Sequence, residues 1–242
     1  MVESEILHLL DNIIDSETIN FESNYYFNNR KVPRVTHILS RCIHNDGLMY
    51  WANSLGFKRQ SYSKTLKQAA DIGSQCHESI DIFLNGNAIT EPFNIMAEAS
   101  NAYQSFLRWY NDVSSCAEIK NIFHEKSLVC KYFGGTLDGL YQINGKTYIV
   151  DYKTSNHITY NYCLQLAAYI FMLETIENIT VDGCIILQLS KYDISYNEFS
   201  LDFSNESDKK FIEECREAFL SMTLWFYHLS HIDFEYSKLN WR

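Results

Sequence analysis

The chain has 242 residues, enough for one domain with a large core or for two small ones, and we expect a single domain over residues 1–242. A hydrophobic share of 46% with regular apolar spacing predicts a globular protein, and no run approaches the ~18 apolar residues of a membrane span. The net charge of −10 alone opposes a polyanionic partner such as DNA, but its distribution changes that conclusion.

Cysteine usage and the N-terminus bear on the compartment. Seven cysteines are scattered without any C-x-x-C pair, which predicts free thiols in a reducing, intracellular compartment and argues against zinc or an iron–sulfur cluster. No basic region followed by an apolar core stands at the N-terminus, so no secretory signal peptide is expected.

The first 67 residues divide into an acidic and a basic part. Residues 1–29 hold six acids and no Lys or Arg, and an amphipathic helix predicted over residues 3–15 could pack on the body or cover a basic groove. From Arg30 to Lys67 there are eight basic residues against the single acid Asp46. Aromatic residues interleave with them, a pattern typical of a groove for single-stranded nucleic acid, although a solvated basic surface is the alternative. The candidate DNA-binding residues here are Lys58, Arg59, Lys64, Lys67, Trp51 and Tyr62.

Residues 30–115 are predicted to be a helical DNA-binding region. Helices are expected from Val35 to Cys42, Leu48 to Leu55, Ser63 to Leu84 and over residues 92–112. The third carries an apolar stripe that includes Gly73, and His77 lies on the adjoining face with Lys67. A lone histidine on a helix is usually structural, so spacing alone does not make His77 a ligand.

The segment from Gly134 to Lys153 predicts a β-hairpin. Two alternating apolar runs flank Asn144-Gly145, the dipeptide typical of a two-residue type I′ turn. Its register sets Asp138 opposite Asp151 and Thr136 opposite Lys153. Facing carboxylates repel each other, so a bound divalent cation is expected, with Lys153 beside it to meet an anionic group. The alternative is that these are ordinary charges on the solvent face of a hairpin.

The remaining elements complete an α/β core over residues 120–190. A first strand from Phe123 to Phe133 contains Glu125, which could orient a water or a basic side chain or be an edge charge. A helix from Tyr160 to Thr175 and a buried strand from Val181 to Leu189 follow, and a closing helix covers residues 207–230. On the helix after the hairpin, Gln165 and Tyr169 share one face.

Together these residues resemble the PD-(D/E)XK nuclease superfamily, whose core presents an Asp on one strand and (Asp/Glu)-x-Lys on its neighbour. Here those are Asp138 and Asp151-Tyr152-Lys153. Gly73-x-x-x-His77 and Gln165-x-x-x-Tyr169 are similar to elements of the RecB-like branch, which includes phage exonucleases and mitochondrial genome maintenance exonucleases. The resemblance covers about residues 30–190 and implies a central mixed β-sheet flanked by helices, a restriction-endonuclease-like core, with a helical N-terminal region.

The resemblance also implies a chemistry. Mg²⁺ or Mn²⁺ would be held by His77, Asp138, Asp151 and the carbonyl of Tyr152, and Lys153 would act on the water or the transition state. The catalytic set is then Lys153, Asp138, Asp151, Gln165 and Glu125. Gln165 and Tyr169 would hold the site or the DNA strand beside it, and Tyr169 is therefore a further candidate DNA-binding residue. We expect a monomeric DNA exonuclease of replication, repair or recombination that prefers single strands with a free end. A catalytically inactive nucleic-acid-binding module of the same fold and a structure-specific endonuclease are the alternatives.

Overall fold

The computed structural model of the protein describes residues 3–16, 21–44, 46–86 and 95–238, which form an α/β fold around a five-stranded mixed sheet. The helices are α1 (Glu3–Ser16), α2 (Val35–Cys42), α3 (Asp46–Phe57), α4 (Tyr62–Leu84), α5 (Ala97–Cys116), α6 (Tyr160–Met172) and α7 (Glu206–Lys238). The strands are β1 (Tyr26–Phe27), β2 (Arg30–Lys31), β3 (Ile119–Val129), β4 (Gly134–Ile143), β5 (Lys146–Lys153), β6 (Gly183–Leu189) and β7 (Tyr196–Asp202).

The large sheet has the order β3-β4-β5-β6-β7. Strands β5 and β6 run parallel and α6 connects them, whereas the other neighbouring pairs are antiparallel. β1 and β2 form a separate two-stranded ribbon. The predicted central mixed sheet with flanking helices and a mostly helical N-terminal part is therefore confirmed at the level of an α/β fold.

Side chains of successive residues alternate between two apolar layers, one on each face of the sheet. Leu140 and Ile149 belong to the layer formed with α1, α2, α6 and α7. Tyr141 and Val150 belong to the layer formed with α4 and α5, where Phe106 and other aromatic side chains pack. The hairpin is therefore buried on both sides, and the alternative that it is a solvated surface hairpin is wrong.

Several predicted boundaries differ from those observed. β3 ends at Val129 rather than Phe133, because the amide of Cys130 donates a hydrogen bond to the carbonyl of Phe133 and closes a turn. β7 was not predicted, and α7 continues to Lys238, past the predicted end at residue 230. The helix expected over residues 92–112 begins at Ala97, and the prediction for residues 92–94 lies outside the described residues.

The acidic N-terminal helix packs on the body. Ile6, Leu10 and Ile14 of α1 are buried in the layer that includes α7. Of the two positions that the sequence allows for this helix, packing on the body or covering a basic groove, the structure therefore shows the first. The part of the predicted acidic arm at residues 17–20 lies outside the described residues. Among the described helices, none is long and apolar enough to cross a membrane, and all seven cysteines are free thiols.

Candidate metal centre

The β4–β5 hairpin has the predicted register, and its ladder ends next to the two aspartates. Paired residues run from Ile143–Lys146 to Gly139–Val150, so Asp138 and Asp151 occupy the next opposed positions. There the Asp138 carboxylate accepts the amide N–H of Tyr152 at 2.9 Å, in place of a main-chain acceptor. The two strands pair no further, and Asp138 stands where they separate.

The predicted pairing of Thr136 with Lys153 is wrong. Thr136 pairs with Ser127 of β3, while Lys153 pairs with Gln188 of β6. The physical reason is the separation of β4 from β5 beyond Asp138, after which each strand keeps its other neighbour. The separation opens the end of the sheet to side chains from α4 and β3.

Three side chains from three elements converge at this opening. His77 of α4, Glu125 of β3 and Asp138 of β4 each place one ligand-type atom within 4.8 Å of the others. The Nδ1 atom of His77 lies 3.3 Å from Glu125 Oε1 and 3.6 Å from Asp138 Oδ1. Two carboxylates and one imidazole at these separations are a donor set that suits a divalent cation.

Glu125 reaches this position through an unusual backbone. Its neighbours His124 and Lys126 pair with Gly139 and Leu137, which puts Glu125 opposite Asp138. Its φ angle is +46°, in the left-handed region that non-glycine residues rarely adopt and that costs about 1–2 kcal/mol. A strained acid that faces another acid is the kind of outlier from which a functional role is inferred.

His77 is held on both sides of its ring. Its Nε2 lies 3.3 Å from the carbonyl oxygen of Tyr152, and its ring packs edge-on against the Tyr152 ring at 5.7 Å. Burial acts to lower the pKa of His77, but the carboxylates of Asp138 and Glu125 outweigh burial and raise that pKa to about 9. At neutral pH the imidazolium supplies the positive charge that these carboxylates require, and it must lose a proton before it can ligate a cation.

A row of hydrogen-bonded and ion-paired side chains begins at Asp151, next to the group formed by His77, Glu125 and Asp138. Lys153 Nζ lies 2.5 Å from Asp151 Oδ2 and donates to Gln165 Oε1 at 3.4 Å, and Gln165 Nε2 donates to the hydroxyl of Tyr169 at 3.1 Å. The ammonium also lies 4.8 Å from the centre of the Tyr162 ring. Burial acts to lower the pKa of Lys153, but Asp151 and Asp138 outweigh it and raise that pKa. Lys153 is therefore a fixed cation.

Asp151 is the buried carboxylate of the site, with 1% of its surface exposed. Burial raises its pKa, the neighbouring Asp138 acts in the same direction, and Lys153 opposes them. Its Oδ1 receives no hydrogen bond from any residue that the structure describes. A buried carboxylate oxygen without a donor is costly, and a cation beside Asp138 would satisfy it. The donor set therefore fits a divalent cation, since it is mostly oxygen with one imidazole.

The structure thus places the sequence candidates in two groups. His77, Asp138 and the Tyr152 carbonyl lie together as expected, and Glu125 joins them where the sequence left its role open. Asp151 is directed towards Lys153 and lies outside the group of three. The Asp138 carboxylate acts on both groups, since it raises the pKa of His77 and that of Lys153.

Tyr169 was expected to contact DNA, and its environment contradicts that role. Its ring is 3% exposed and lies against Gly135 of β4, where an added Cβ would stand 2.5 Å from Tyr169 Cε1. A base cannot stack on a ring that is covered in this way. Tyr169 instead orients the Gln165 amide, which in turn contacts Lys153.

The remaining DNA-binding candidates lie on α3, on α4 and between them. Lys58, Arg59, Lys64 and Lys67 are all exposed. The rings of Trp51 and Tyr62 contact each other edge-on at 5.5 Å and are partly buried. The most exposed aromatic residues nearby are Tyr50 and Phe57, at 77% and 84%.

An open cleft of about 530 Å³ lies beside the candidate ligands His77 and Glu125. It is lined by Gly73, Ser74, His77, Glu78, Asp81 and Glu125. A side chain at Gly73 would make only an ordinary 3.6 Å contact with Thr154, so packing does not require glycine there. Because Gly73 has no side chain, the cleft stays open beside His77.

Sequence reasoning missed two residues of the site. Tyr162 supports Lys153 with its ring and donates its hydroxyl to Ser155 at 3.0 Å, and a tyrosine one turn before Gln165 was the available signal. Gly135 permits the approach of Tyr169, and the tandem glycine at the start of β4 was the signal.

The fold and the site together define an α/β protein with a candidate divalent-metal centre. No protein-family model matches the chain, and no curated protein matches it. Among solved structures, the crystal structure of SSO0001 is similar over 90% of this chain and 86% of its own, at 12% identity and a TM-score of 0.36. A likeness at that level carries no argument about fold or function.

Proposed function

We propose that this protein is a metal-dependent deoxyribonuclease with a PD-(D/E)XK core of the RecB-like type. The observation that carries the proposal is the convergence of His77, Glu125 and Asp138 within 4.8 Å at the end of the hairpin that bears Asp151 and Lys153. Paired acids with a neighbouring fixed lysine suit phosphodiester hydrolysis, because the reaction develops negative charge on the phosphate.

In this proposal the chain's residues divide the work. His77, Glu125 and Asp138, with the Tyr152 carbonyl beside His77, would hold Mg²⁺ or Mn²⁺. Asp151, opposite Asp138 in the hairpin register, would add a further carboxylate. When bound, such an ion lowers the pKa of its water and neutralises charge on the phosphate. Lys153 offers a second positive charge to the water or the phosphate, and Gln165 fixes its direction.

We further propose that the substrate is single-stranded DNA with a free end. Tyr50 and Phe57 of α3 are exposed, Lys58 and Arg59 directly follow that helix, and a duplex would not present its bases to the two rings. Lys67 and His77 lie ten residues apart on α4, about 15 Å along the helix. A strand held by Lys67 would have to span that distance along α4 to reach the cleft beside His77.

The proposal is tested with end-labelled single-stranded and duplex DNA incubated with Mg²⁺, Mn²⁺ or a chelator. We expect products only with a metal ion and more rapidly from single strands. Asp138→Asn and Asp151→Asn should abolish cleavage in a folded protein, whereas Asp233→Asn, on the exposed surface of α7, should cleave like the wild type. Cleavage by Asp138→Asn at a near wild-type rate would exclude the metal assignment.

The same assay separates the alternatives. DNA binding without any metal-dependent product would favour an inactive binding module of the same fold. Covalently closed single-stranded circles, digested beside linear strands of identical sequence, address the free end. We expect only the linear strand to be degraded, and efficient cutting of the circle would indicate an endonuclease.

A further inference from the structure

A polar pocket lies directly beyond Lys153 and takes no part in holding the metal. It has a volume of about 260 Å³ and lies between the chain that follows β5 and the loop that joins β6 to β7. We call it the β6–β7 pocket. The lining residues that matter here are Thr154, Asn156, Gln188, Lys191, Tyr192 and Asn197.

The sheet register connects this pocket to the candidate catalytic lysine. Lys153 pairs with Gln188 on β6, and Gln188 pairs with Asn197 on β7. Registered neighbours point to the same face, so the three side chains form one polar row across the sheet. Two strand spacings separate Lys153 from Asn197, about 10 Å. A strand covers that distance with roughly three stacked nucleotides at 3.4 Å each.

The loop of residues 190–195 is fixed from below by α5. Two side chains of α5 donate hydrogen bonds to its carbonyl oxygens, Asn101 to Lys191 at 3.1 Å and Arg108 to Ile194 at 2.9 Å. The hydroxyl oxygen of Ser105, also on α5, lies 3.3 Å from the carbonyl oxygen of Ser190 and 3.2 Å from that of Asp193. The amide of Ser190 also donates to the carbonyl of Ser195 at 3.0 Å. A short hairpin connection does not need this many tethers to form, and a loop fixed in this way is preorganised for binding.

The side chains that this loop and its neighbours present outward can still bind a ligand. Tyr192 is 71% exposed, and its hydroxyl donates to Asn156 Oδ1 at 3.3 Å, which leaves the Asn156 NH₂ group as a donor. Asn197 donates to Gln188 at 3.1 Å, which leaves its own amide oxygen as an acceptor. Lys191 Nζ lies 5.7 Å from the centre of the Tyr192 ring.

We propose that the β6–β7 pocket holds one unpaired nucleobase of the substrate strand, within about three nucleotides of the cleaved bond. The base stacks on Tyr192, and its edge hydrogen-bonds to the amides of Asn156 and Asn197. Lys191 meets an adjoining phosphate. The enzyme therefore has a base preference at one position. This inference rests on the proposed nuclease function and adds a substrate subsite to it.

The experiment uses the full-length protein and a set of linear single strands that carry one abasic nucleotide at successive positions around a fixed cleavage site. Single-turnover rates are measured for the wild type, Tyr192→Ala, Tyr192→Phe and Tyr236→Ala, the last an exposed tyrosine on α7 that serves as the matched control. For the wild type, an abasic nucleotide at one position should slow cleavage roughly 5- to 150-fold, the range for loss of one base–aromatic stack.

The variants then identify the pocket as the cause. Tyr192→Ala should slow cleavage of the intact strand by a similar factor and cause no further loss on the strand abasic at that position. Tyr192→Phe keeps the ring, so it should retain most of the rate difference between the intact strand and the strand abasic at that position. Tyr236→Ala should behave like the wild type. If the effect of the abasic nucleotide does not depend on its position, or if Tyr192→Ala slows all strands equally, the β6–β7 pocket does not bind a base. Either result would leave the proposed nuclease function unaffected. Failure of the wild type to cleave any strand would overturn both proposals.

Discussion

The substitution Gly135→Ala tests whether the Tyr169–Gln165–Lys153 row positions the lysine. An alanine Cβ would stand 2.5 Å from Tyr169 Cε1 and 3.1 Å from the Tyr169 hydroxyl. Favourable carbon contacts lie at about 3.5–4.0 Å, so the buried ring must move by about 1 Å. Because Tyr169 accepts the hydrogen bond from Gln165, this movement should shift the amide that contacts Lys153.

The expected effects have separate magnitudes for stability and rate. Overpacking of a buried site costs about 1–3 kcal/mol, which for a chain of this size lowers the melting temperature by roughly 2–12 °C. Misplacement of a catalytic group by about 1 Å costs up to ~10²-fold in rate. We therefore expect a modest loss of stability together with a large loss of single-turnover cleavage under saturating DNA.

A second glycine provides the control. An added Cβ at Gly183 of β6 would meet the main-chain oxygen of Leu201 and the ring of Tyr148, both away from the candidate site. Gly183→Ala should lose at least as much melting temperature yet cleave at the wild-type rate at temperatures where it remains folded. If Gly135→Ala loses stability but cleaves as rapidly as the wild type, the row does not position Lys153.

Three further sets of substitutions address the candidate site and the basic region. Lys153→Ala should lower the single-turnover rate roughly 10²-fold or more with little change in DNA affinity, and weakened affinity at an unchanged rate would make Lys153 a simple phosphate contact. Glu125→Gly should melt higher than Glu125→Ala by the equivalent of about 1 kcal/mol, because glycine adopts the left-handed backbone freely; equal melting temperatures would exclude strain at this position. Glutamine is substituted for Lys58, Arg59, Lys64 and Lys67 together in the third set. The salt dependence of single-strand binding should then flatten by about 0.7 in log–log slope for each phosphate contact that is lost. An unchanged slope would indicate that these residues form a solvated surface.

The hairpin shows how far local sequence determines geometry. Asn144 and Gly145 adopt the positive φ angles of +49° and +80° that the dipeptide predicts, and this turn fixes the register as far as the two aspartates. The end of the ladder was not predictable, because it depends on the Asp138 carboxylate accepting the Tyr152 amide. A side chain that competes for a main-chain donor leaves no periodic signal in the sequence.

Glu125 illustrates a different limit. The turn between β3 and β4 lacks a two-residue signature, and an irregularity between Asn121 and Phe123 shifts the pairing by one residue. An alternating pattern alone therefore could not set Glu125 opposite Asp138. Strand β7 was missed for a related reason, since Tyr196–Asp202 is an edge strand with mostly exposed and polar residues.

Tyr169 shows why a correct helical face still misassigned a role. The i, i+4 spacing correctly places Gln165 and Tyr169 together on α6, and their hydrogen bond confirms that proximity. Whether that face is open to DNA depends on what packs over it. Gly135 brings β4 against the ring, a contact between residues 34 positions apart that helical spacing cannot report.

Pulsed EPR of Mn²⁺ bound to the protein tests most directly whether His77, Glu125 and Asp138 share one cation. We expect one Mn²⁺ per chain with nitrogen coupling from a single imidazole. The coupling should disappear in His77→Gln and persist in His228→Gln, which alters an exposed histidine on α7. Mn²⁺ bound without nitrogen coupling, or coupling that survives in His77→Gln, would contradict this metal centre.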